Sequence, residues 1–205
     1  MLTIGITLDD VLRAKTLQIG KIYKKYIDNN IDLNSLDFST DNFTKIFNFR
    51  SKTDFIKFLY EDYPFEIFGE ASVVEKSLDK ELNLWHINLN NDDEIEEEIK
   101  LVLMNPREFN ASIGYTYFFL SKMATRIREV CLPEDYLDIW DKCDILITAD
   151  KKLLNEKPSN KISVKIETPY NVNEVSDYSY VNLLALLKDG NFLRDIVKKK
   201  NNIDN

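Results

Sequence analysis

Histidine occurs once in the 205 residues, at His86, and cysteine only twice, at Cys131 and Cys143. A metal centre built on two histidines is therefore excluded, and a Ser-His or Cys-His nucleophile would have to use His86. That residue follows Trp85 in an L-W-H-I-N-L stretch, which is a packing or surface context. The cysteines form no CxxC pair, so free, mostly buried thiols in a reducing compartment are expected. Glycine and proline are scarce, five of each, while Asn, Lys and Ile are abundant. That bias reflects base composition more than chemistry. Positive charge is in deficit: the net charge is −8 and the pI about 4.8. A broad nucleic-acid-binding surface is thereby disfavoured. No apolar run approaches the length of a membrane span, and the N-terminus lacks a basic-then-apolar signal pattern. A soluble chain, cytoplasmic at synthesis and with no membrane partner, is the expectation. Internal repeats and low-complexity blocks are also missing.

What is present suffices for a core. Hydrophobic residues make up 44% and aromatics 12% of the chain. This suits one domain with an insertion, or two small ones. Leu2 to Leu8 is a short apolar run that ends in Asp9-Asp10, which reads as a buried strand delivering carboxylates to the tip of a sheet. Val11 to Ile27 reads as the helix that follows. The simplest role for T-L-D-D is an N-cap, with Asp9 or Asp10 accepting the first free N–H groups.

Residues 31–110 carry short helical patterns: one through Phe47 capped by Ser39-Thr40-Asp41, then Thr53 to Tyr60, Phe65 to Gly69 and Ser77 to Trp85. Asp92-Asp93-Glu94, with Glu96 to Glu98, reads as a solvated acidic helix start. Leu101 to Met104 closes the region before Asn105-Pro106. Gly114 to Leu120, a continuous apolar run, predicts a central parallel strand ending at Ser121. Met123 to Val130 reads as helix, and Tyr136 to Cys143 as a turn or short helix. Asp144 to Thr148 and Ile162 to Glu167 predict two more strands, separated by a loop or short helix from Ala149 to Pro158. Asn182 to Leu187 and Phe192 to Val197 carry the last helical material. Strand–helix alternation of this kind predicts an α/β parallel sheet. The expected organisation is a core of residues 1–30 and 111–197, a helical cap at 31–110, and a loose tail at 198–205.

The run from Ile4 to Val11, I-G-I-T-L-D-D-V, resembles the first motif of the haloacid dehalogenase-like (HAD) phosphohydrolases, hhhhD-x-D-x-[T/V]. In that family the first Asp is the nucleophile and the second the general acid/base. Here the second is Asp9, and Thr7 stands at the position of the first. F-F-L-S, ending at Ser121, resembles the second motif, whose hydroxyl binds phosphate. The third-motif lysine has no clear match; Lys142 is nearest, with Lys122 and Arg126 as alternatives. D-I-L-I-T-A-D-K, Asp144 to Lys151, is similar to the fourth motif of the 5′-nucleotidase-like branch, D-x-L-I-D-D-x-P. The two Mg²⁺-holding acids of that motif become Thr148 and Ala149, and Asp150 lies one step late. The run K-I-S-V-K-I-E-T-P-Y-N is similar to the last strand and Y-N turn of the same branch.

The resemblance implies a HAD-like Rossmannoid three-layer fold with an inserted cap. A Thr hydroxyl needs a base to attack and is a poor Mg²⁺ ligand. Thr7, Asp9, Ser121, Thr148, Ala149 and Asp150 are therefore expected to be relic positions, with no cofactor and no metal; Asp9 and Asp150 are the weak alternative for Mg²⁺. The leading expectation is a non-catalytic scaffold with protein partners in a larger assembly. The chain also resembles HAD-like proteins of tailed, crAss-like phages, which implies a virion part such as a portal or tail ring or connector. Two other readings stand beside it. One is a Mg²⁺-dependent phosphohydrolase of the 5′-nucleotidase type, with Asp9 as acid/base and Ser121 on phosphate. The other is a nucleotide or phosphate sensor that uses the same pocket. The aromatics Phe43, Phe47, Phe49, Phe55, Phe58, Tyr60 and Tyr63 are candidates for an interface, or for ordinary cap packing.

Overall fold

A computed structural model describes residues 1–89, 91, 95, 97–106 and 110–204. Most of the expected acidic helix start (Asp92, Asp93, Glu94 and Glu96) lies outside the described residues. Six strands, β1 (Leu2–Thr7), β2 (Ile99–Met104), β3 (Val130–Cys131), β4 (Ile145–Thr148), β5 (Ile162–Ile166) and β6 (Tyr178–Tyr180), form one parallel sheet in the order 3-2-1-4-5-6. Eight α-helices accompany them among the described residues: α1 (Lys15–Tyr26), α2 (Phe43–Ile46), α3 (Lys52–Lys57), α4 (Leu78–Asn88), α5 (Asn110–Met123), α6 (Lys151–Asn155), α7 (Leu183–Leu187) and α8 (Phe192–Asp204). The α/β architecture expected from the sequence is present.

The strands are apolar on both faces, as a covered parallel sheet requires. Alternation sorts their side chains between two cores. Ile4, Ile6, Leu101, Leu103, Ile145 and Ile147 pack with residues of α4, α5, α7 and α8. Val102, Met104 and Leu146 point the other way, onto Ile139 and Trp140 of a 3₁₀ turn (Leu137–Lys142) and Leu153 of α6. Gly5 leaves room on that second face: a Cβ there would lie 2.6 Å from the Met104 sulfur.

A third core is aromatic. The buried side of α1 (Ile19, Ile22, Tyr23) packs with Phe47, Phe58, Leu59, Ile67 and Phe68. Phe43, Phe49, Phe55, Tyr60 and Tyr63 are partly buried around it. Tyr23 sits 5.2 Å from both Phe47 and Phe49, and Phe49 lies 5.1 Å from Phe58, at ring-pairing distances. The aromatic residues of the middle segment thus pack mainly on one another, through α2, α3 and two π-helical turns (Phe58–Asp62 and Phe65–Gly69).

Several elements differ from expectation. The strand neighbouring β1 is Ile99–Met104, inside the span expected for the cap, and the segment expected as that strand is helix α5. Helical spacing decides the second case: Ser112, Thr116, Phe119, Leu120 and Met123 are buried on one side, while Tyr117 and Phe118 are about half exposed. Ser121 therefore lies in the last turn of a helix, exposed, and not at a strand end. Met123 to Val130, expected as helix, runs from the end of α5 into β3. The tail is helical as far as Asp204, because α8 keeps Ile196 buried and Val197 and Ile203 packed on the sheet core. No helix among the described residues is long and apolar enough to cross a membrane.

Candidate active site

The strand order reverses between β1 and β4, and in such sheets the crevice at the carboxyl ends of those strands takes the ligand. Thr7 ends β1 and Thr148 ends β4. Their hydroxyls meet there: Thr7 Oγ1 donates to Thr148 Oγ1 at 3.1 Å, with the Ile147 carbonyl at 3.4 Å. Both side chains are buried. Thr148 Oγ1 also accepts the Asp150 N–H at 3.0 Å. Two neutral hydroxyls thus occupy the tip where the family motif carries carboxylates.

After β1 the chain does not enter a helix at Val11. It winds through a tight turn in which the Leu8 carbonyl accepts the N–H groups of Leu12 and Arg13, at 2.9 and 2.8 Å. Asp10 takes a left-handed conformation there, φ 57°, a strained choice for a non-glycine residue and one that recurs at functional sites. Helix α1 begins only at Lys15. Asp10 then serves as its capping group: Asp10 Oδ1 accepts from Thr16 N at 2.9 Å, and Asp10 Oδ2 accepts from Thr16 Oγ1 at 2.5 Å.

Asp9 is held differently. Arg13 Nε and Nη2 both donate to Asp9 Oδ1, at 2.9 and 2.6 Å, and Lys15 Nζ donates to Asp9 Oδ2 at 2.6 Å. Asn105 Nδ2 approaches the same oxygen at 3.4 Å. Arg13 is fully buried, donates to Thr116 Oγ1 at 2.8 Å, and lies over the Phe68 and Phe119 rings. Burial by itself would raise the Asp9 pKa, but Arg13 and Lys15 outweigh it and hold the carboxyl at about 2. Asp10 moves the opposite way: burial raises its pKa against the Thr16 hydrogen bonds.

Tyr170 reaches Asp10 from the far end of the chain, its hydroxyl donating to Asp10 Oδ2 at 2.9 Å. The P-Y-N turn that presents it is pinned by buried Asn171, whose Nδ2 donates to the carbonyls of Ala149 and Ile166, both at 2.9 Å. Burial and the adjoining Asp10 push the Tyr170 phenol well above its ordinary pKa, which fixes it as a donor.

These groups open into a cleft of about 830 Å³ between the sheet tip and the aromatic segment. Lys15, Lys52, Lys151 and Lys152 line it, together with Phe43, Phe55 and Tyr60 on the side away from the sheet. The structure brings Thr7, Asp9 and Asp150 to the cleft, with Thr148 and Ala149 buried beneath it. Ser121 is not brought there. Asn105, immediately after β2, takes the place expected for it; the Asn-Pro pair closing an apolar run was the signal for it. Lys122 donates to the carbonyls of Gly69 and Ala71, and the Arg126 backbone N–H is held by Asn83. Lys142 is exposed on the 3₁₀ turn and is not among the cleft residues. Arg13, Lys15 and Tyr170 were not among the expected site residues, and Asp10 was expected only as a strand-tip carboxylate and a candidate N-cap, which it is for the Thr16 N–H.

The residues at this tip do not fit Mg²⁺. Its octahedral shell needs oxygen donors with open lone pairs, but both Asp9 oxygens already face cations. Asp150 Oδ1 caps α6 through the Leu153 N–H at 3.0 Å. Among the described residues, no group of three or more His, Cys, Asp or Glu side chains is placed to hold a metal ion.

No protein-family model matches the chain, and no curated protein matches it by sequence. Solved structures do. A haloacid dehalogenase-like hydrolase from Burkholderia xenovorans superposes with a TM-score of 0.54 at 8% identity, over 94% of this chain and 98% of that one. A haloacid dehalogenase-like family hydrolase from Xanthomonas campestris is aligned over 100% of this chain and 98% of that one, with a TM-score of 0.44 at 10% identity. The Burkholderia likeness, at such low identity, establishes the fold: it is HAD-like, and it runs nearly end to end. It also corrects the expectation of a non-catalytic virion scaffold, and with it that of a chain with no enzymatic activity. The fold neighbour bears the name of a haloacid dehalogenase-like hydrolase.

Proposed function

We propose that the chain is a HAD-like hydrolase that acts on phosphate monoesters, nucleoside monophosphates of the 5′-nucleotidase type among them, without an aspartyl-phosphate step. The observation that carries this reading is the pair Asp9 and Asp10, adjacent at one strand tip, whose ionisation is driven in opposite directions inside a lysine-lined cleft. Neighbouring carboxyls tuned apart in this way are the mark of divided acid–base roles. Asp9 stays ionised and positions Lys15 and Arg13. Asp10, whose proton affinity is raised, is the group suited to accept and return a proton.

With Thr7 neutral, the nucleophile is water. Its oxygen bonds to phosphorus as the ester P–O bond breaks, Asp10 takes the water proton, and the leaving alkoxide receives a proton from Asp10 or solvent. The cleft lysines offset the charge on the phosphoryl oxygens. Phe43, Phe55 and Tyr60 give the leaving group an apolar and aromatic wall, which suits a nucleobase.

Turnover of p-nitrophenyl phosphate and of nucleoside monophosphates tests the reading. Asp10→Asn should lower kcat by about 10²-fold while thermal melting shows that the variant still folds. Absence of turnover by the unaltered chain on every ester would overturn it. Binding without turnover would support the phosphate-sensor alternative instead.

A further inference from the structure

We infer that Lys15 is a built-in counter-ion: its ammonium does at the sheet tip what a divalent cation does in metal-dependent phosphohydrolases, so the chain binds phosphoryl groups without a metal. The inference rests on the phosphate reading above and adds to it the identity of the cation.

The charge at the tip carries it. Thr7, Thr148 and Ala149 hold none of the anionic oxygens that would draw in a divalent ion. The carboxylate that remains beside Thr7, Asp9, is contacted by two cations, Arg13 on one oxygen and Lys15 on the other. Around Asp9 itself the two cations exceed the carboxylate by one charge, which Asp10 offsets when it is ionised. A divalent ion approaching Asp9 meets two cations already seated on its oxygens, while a phosphoryl oxygen meets the Lys15 ammonium.

The two cations differ in access. The Arg13 side chain is 0% exposed, whereas that of Lys15 is 22% exposed and lines the cleft. Arg13 therefore fixes Asp9, and Asp9 in turn aims Lys15. The Lys15 ammonium also lies 5.5 Å from the centre of the Phe68 ring, on the same ring that carries Arg13. It is held from two directions at the lip of the cleft. An ammonium has three N–H donors in tetrahedral array, and Asp9 engages one of them. Held in place before the ligand arrives, such a charge needs no reorganisation when a phosphoryl group binds.

Calorimetric titration with inorganic phosphate, in EDTA and in Mg²⁺, tests the inference on the full chain. The unaltered chain should bind phosphate with affinities that agree within about twofold between the two conditions. Lys15→Met should weaken binding by about tenfold or more in EDTA, and Lys15→Arg should restore most of the loss. A thermal melt of each variant separates lost binding from lost folding. Phosphate binding that requires Mg²⁺ would overturn the inference and leave the hydrolase reading intact. So would binding that is indifferent to Lys15→Met. No phosphate binding in either condition would overturn the inference, and turnover of the esters then decides whether the hydrolase reading falls with it.

Discussion

Arg13 is a fully buried guanidinium whose principal counter-charge is Asp9. Burying it is tolerable because two of its nitrogens meet one carboxylate oxygen, Thr116 Oγ1 takes another, and two aromatic faces cover the carbon. Arg13→Met would remove the fixed partner and leave Asp9 leaning on Lys15 alone. Loss of one member of a buried pair costs about 3 kcal/mol, to be read from urea unfolding. The double variant Asp9→Asn/Arg13→Met should recover part of that loss, since neither charge of the Arg13–Asp9 pair is then left buried alone and the Lys15 ammonium, 22% exposed, still reaches solvent. Recovery of nothing would mean that Arg13 acts through packing on Phe68 and Phe119 rather than through charge.

Asp9 also sets a pH dependence whose sign follows from its environment. Its carboxyl is held at about 2 against an ordinary 3.8, so the folded state favours the ionised form. The stabilisation is fully present above the ordinary value and is lost as pH falls through about 2. It amounts to about 2 kcal/mol. Asp10 has the opposite sign: its raised pKa favours folding below the ordinary carboxyl range, and that contribution disappears as pH rises through the raised value. Urea midpoints of the unaltered chain and of Asp9→Asn should therefore converge as the pH is lowered through that interval. A constant gap would show that the Arg13–Lys15 clamp does not hold the Asp9 proton off.

At the level of elements, β2 and α5 show what an apolar run hides. I-K-L-V-L-M and G-Y-T-Y-F-F-L are both short, apolar and rich in strand-preferring residues, and periodicity cannot separate a covered strand from a buried helix of that length. The helix stripe of α5 was disguised because two of its buried positions are polar, Ser112 and Thr116, while Tyr117 and Phe118 remain on the outer face. β1, β4 and β5 were legible because each apolar run is followed at once by capping or turn residues (Asp9-Asp10, Asp150, Thr168-Pro169). The misplaced strand then carried Ser121 into the expected site and kept Asn105 out of it. Thr7, Asp9, Thr148 and Asp150 were legible from the strand ends. The Tyr170–Asp10 bond spans 160 residues, and no local pattern encodes it. Gly114 offers a direct check on the helix. It is an exposed position of α5, and a methyl carbon added there would meet nothing within 4 Å. Gly114→Ala should stabilise the chain by about 0.5–1 kcal/mol, because alanine loses less backbone freedom in a helix interior. Destabilisation would argue that this segment is extended.

At the scale of the whole molecule, two charge distributions oppose each other. The chain carries a net −8, which repels an anion at long range, yet in its cleft Lys15, Lys52, Lys151 and Lys152 match Asp9, Asp10, Asp41 and Asp150 in number. Lys151 also pairs with Glu174 at 2.9 Å, and Lys152 lies over the Tyr136 ring at 4.9 Å, so these cations are placed rather than free to swing. Long-range repulsion is screened by salt within about 8–10 Å at ordinary ionic strength, whereas a partly buried ammonium at contact is screened far less. Moderate salt should therefore speed phosphate association, while it changes the contact energy little. A ligand at a hundred times its Kd adds about 2.7 kcal/mol to the folded state. For a chain of this size, each kcal/mol raises the melting temperature by about 2–4 °C. Saturating phosphate should then shift the melt upward by roughly 5–10 °C. The shift should survive EDTA and shrink sharply in Lys15→Met. An equal shift with sulfate would mark the cleft as selective for tetrahedral anions in general. No shift with either anion would show that the lysines around the tip serve the fold alone.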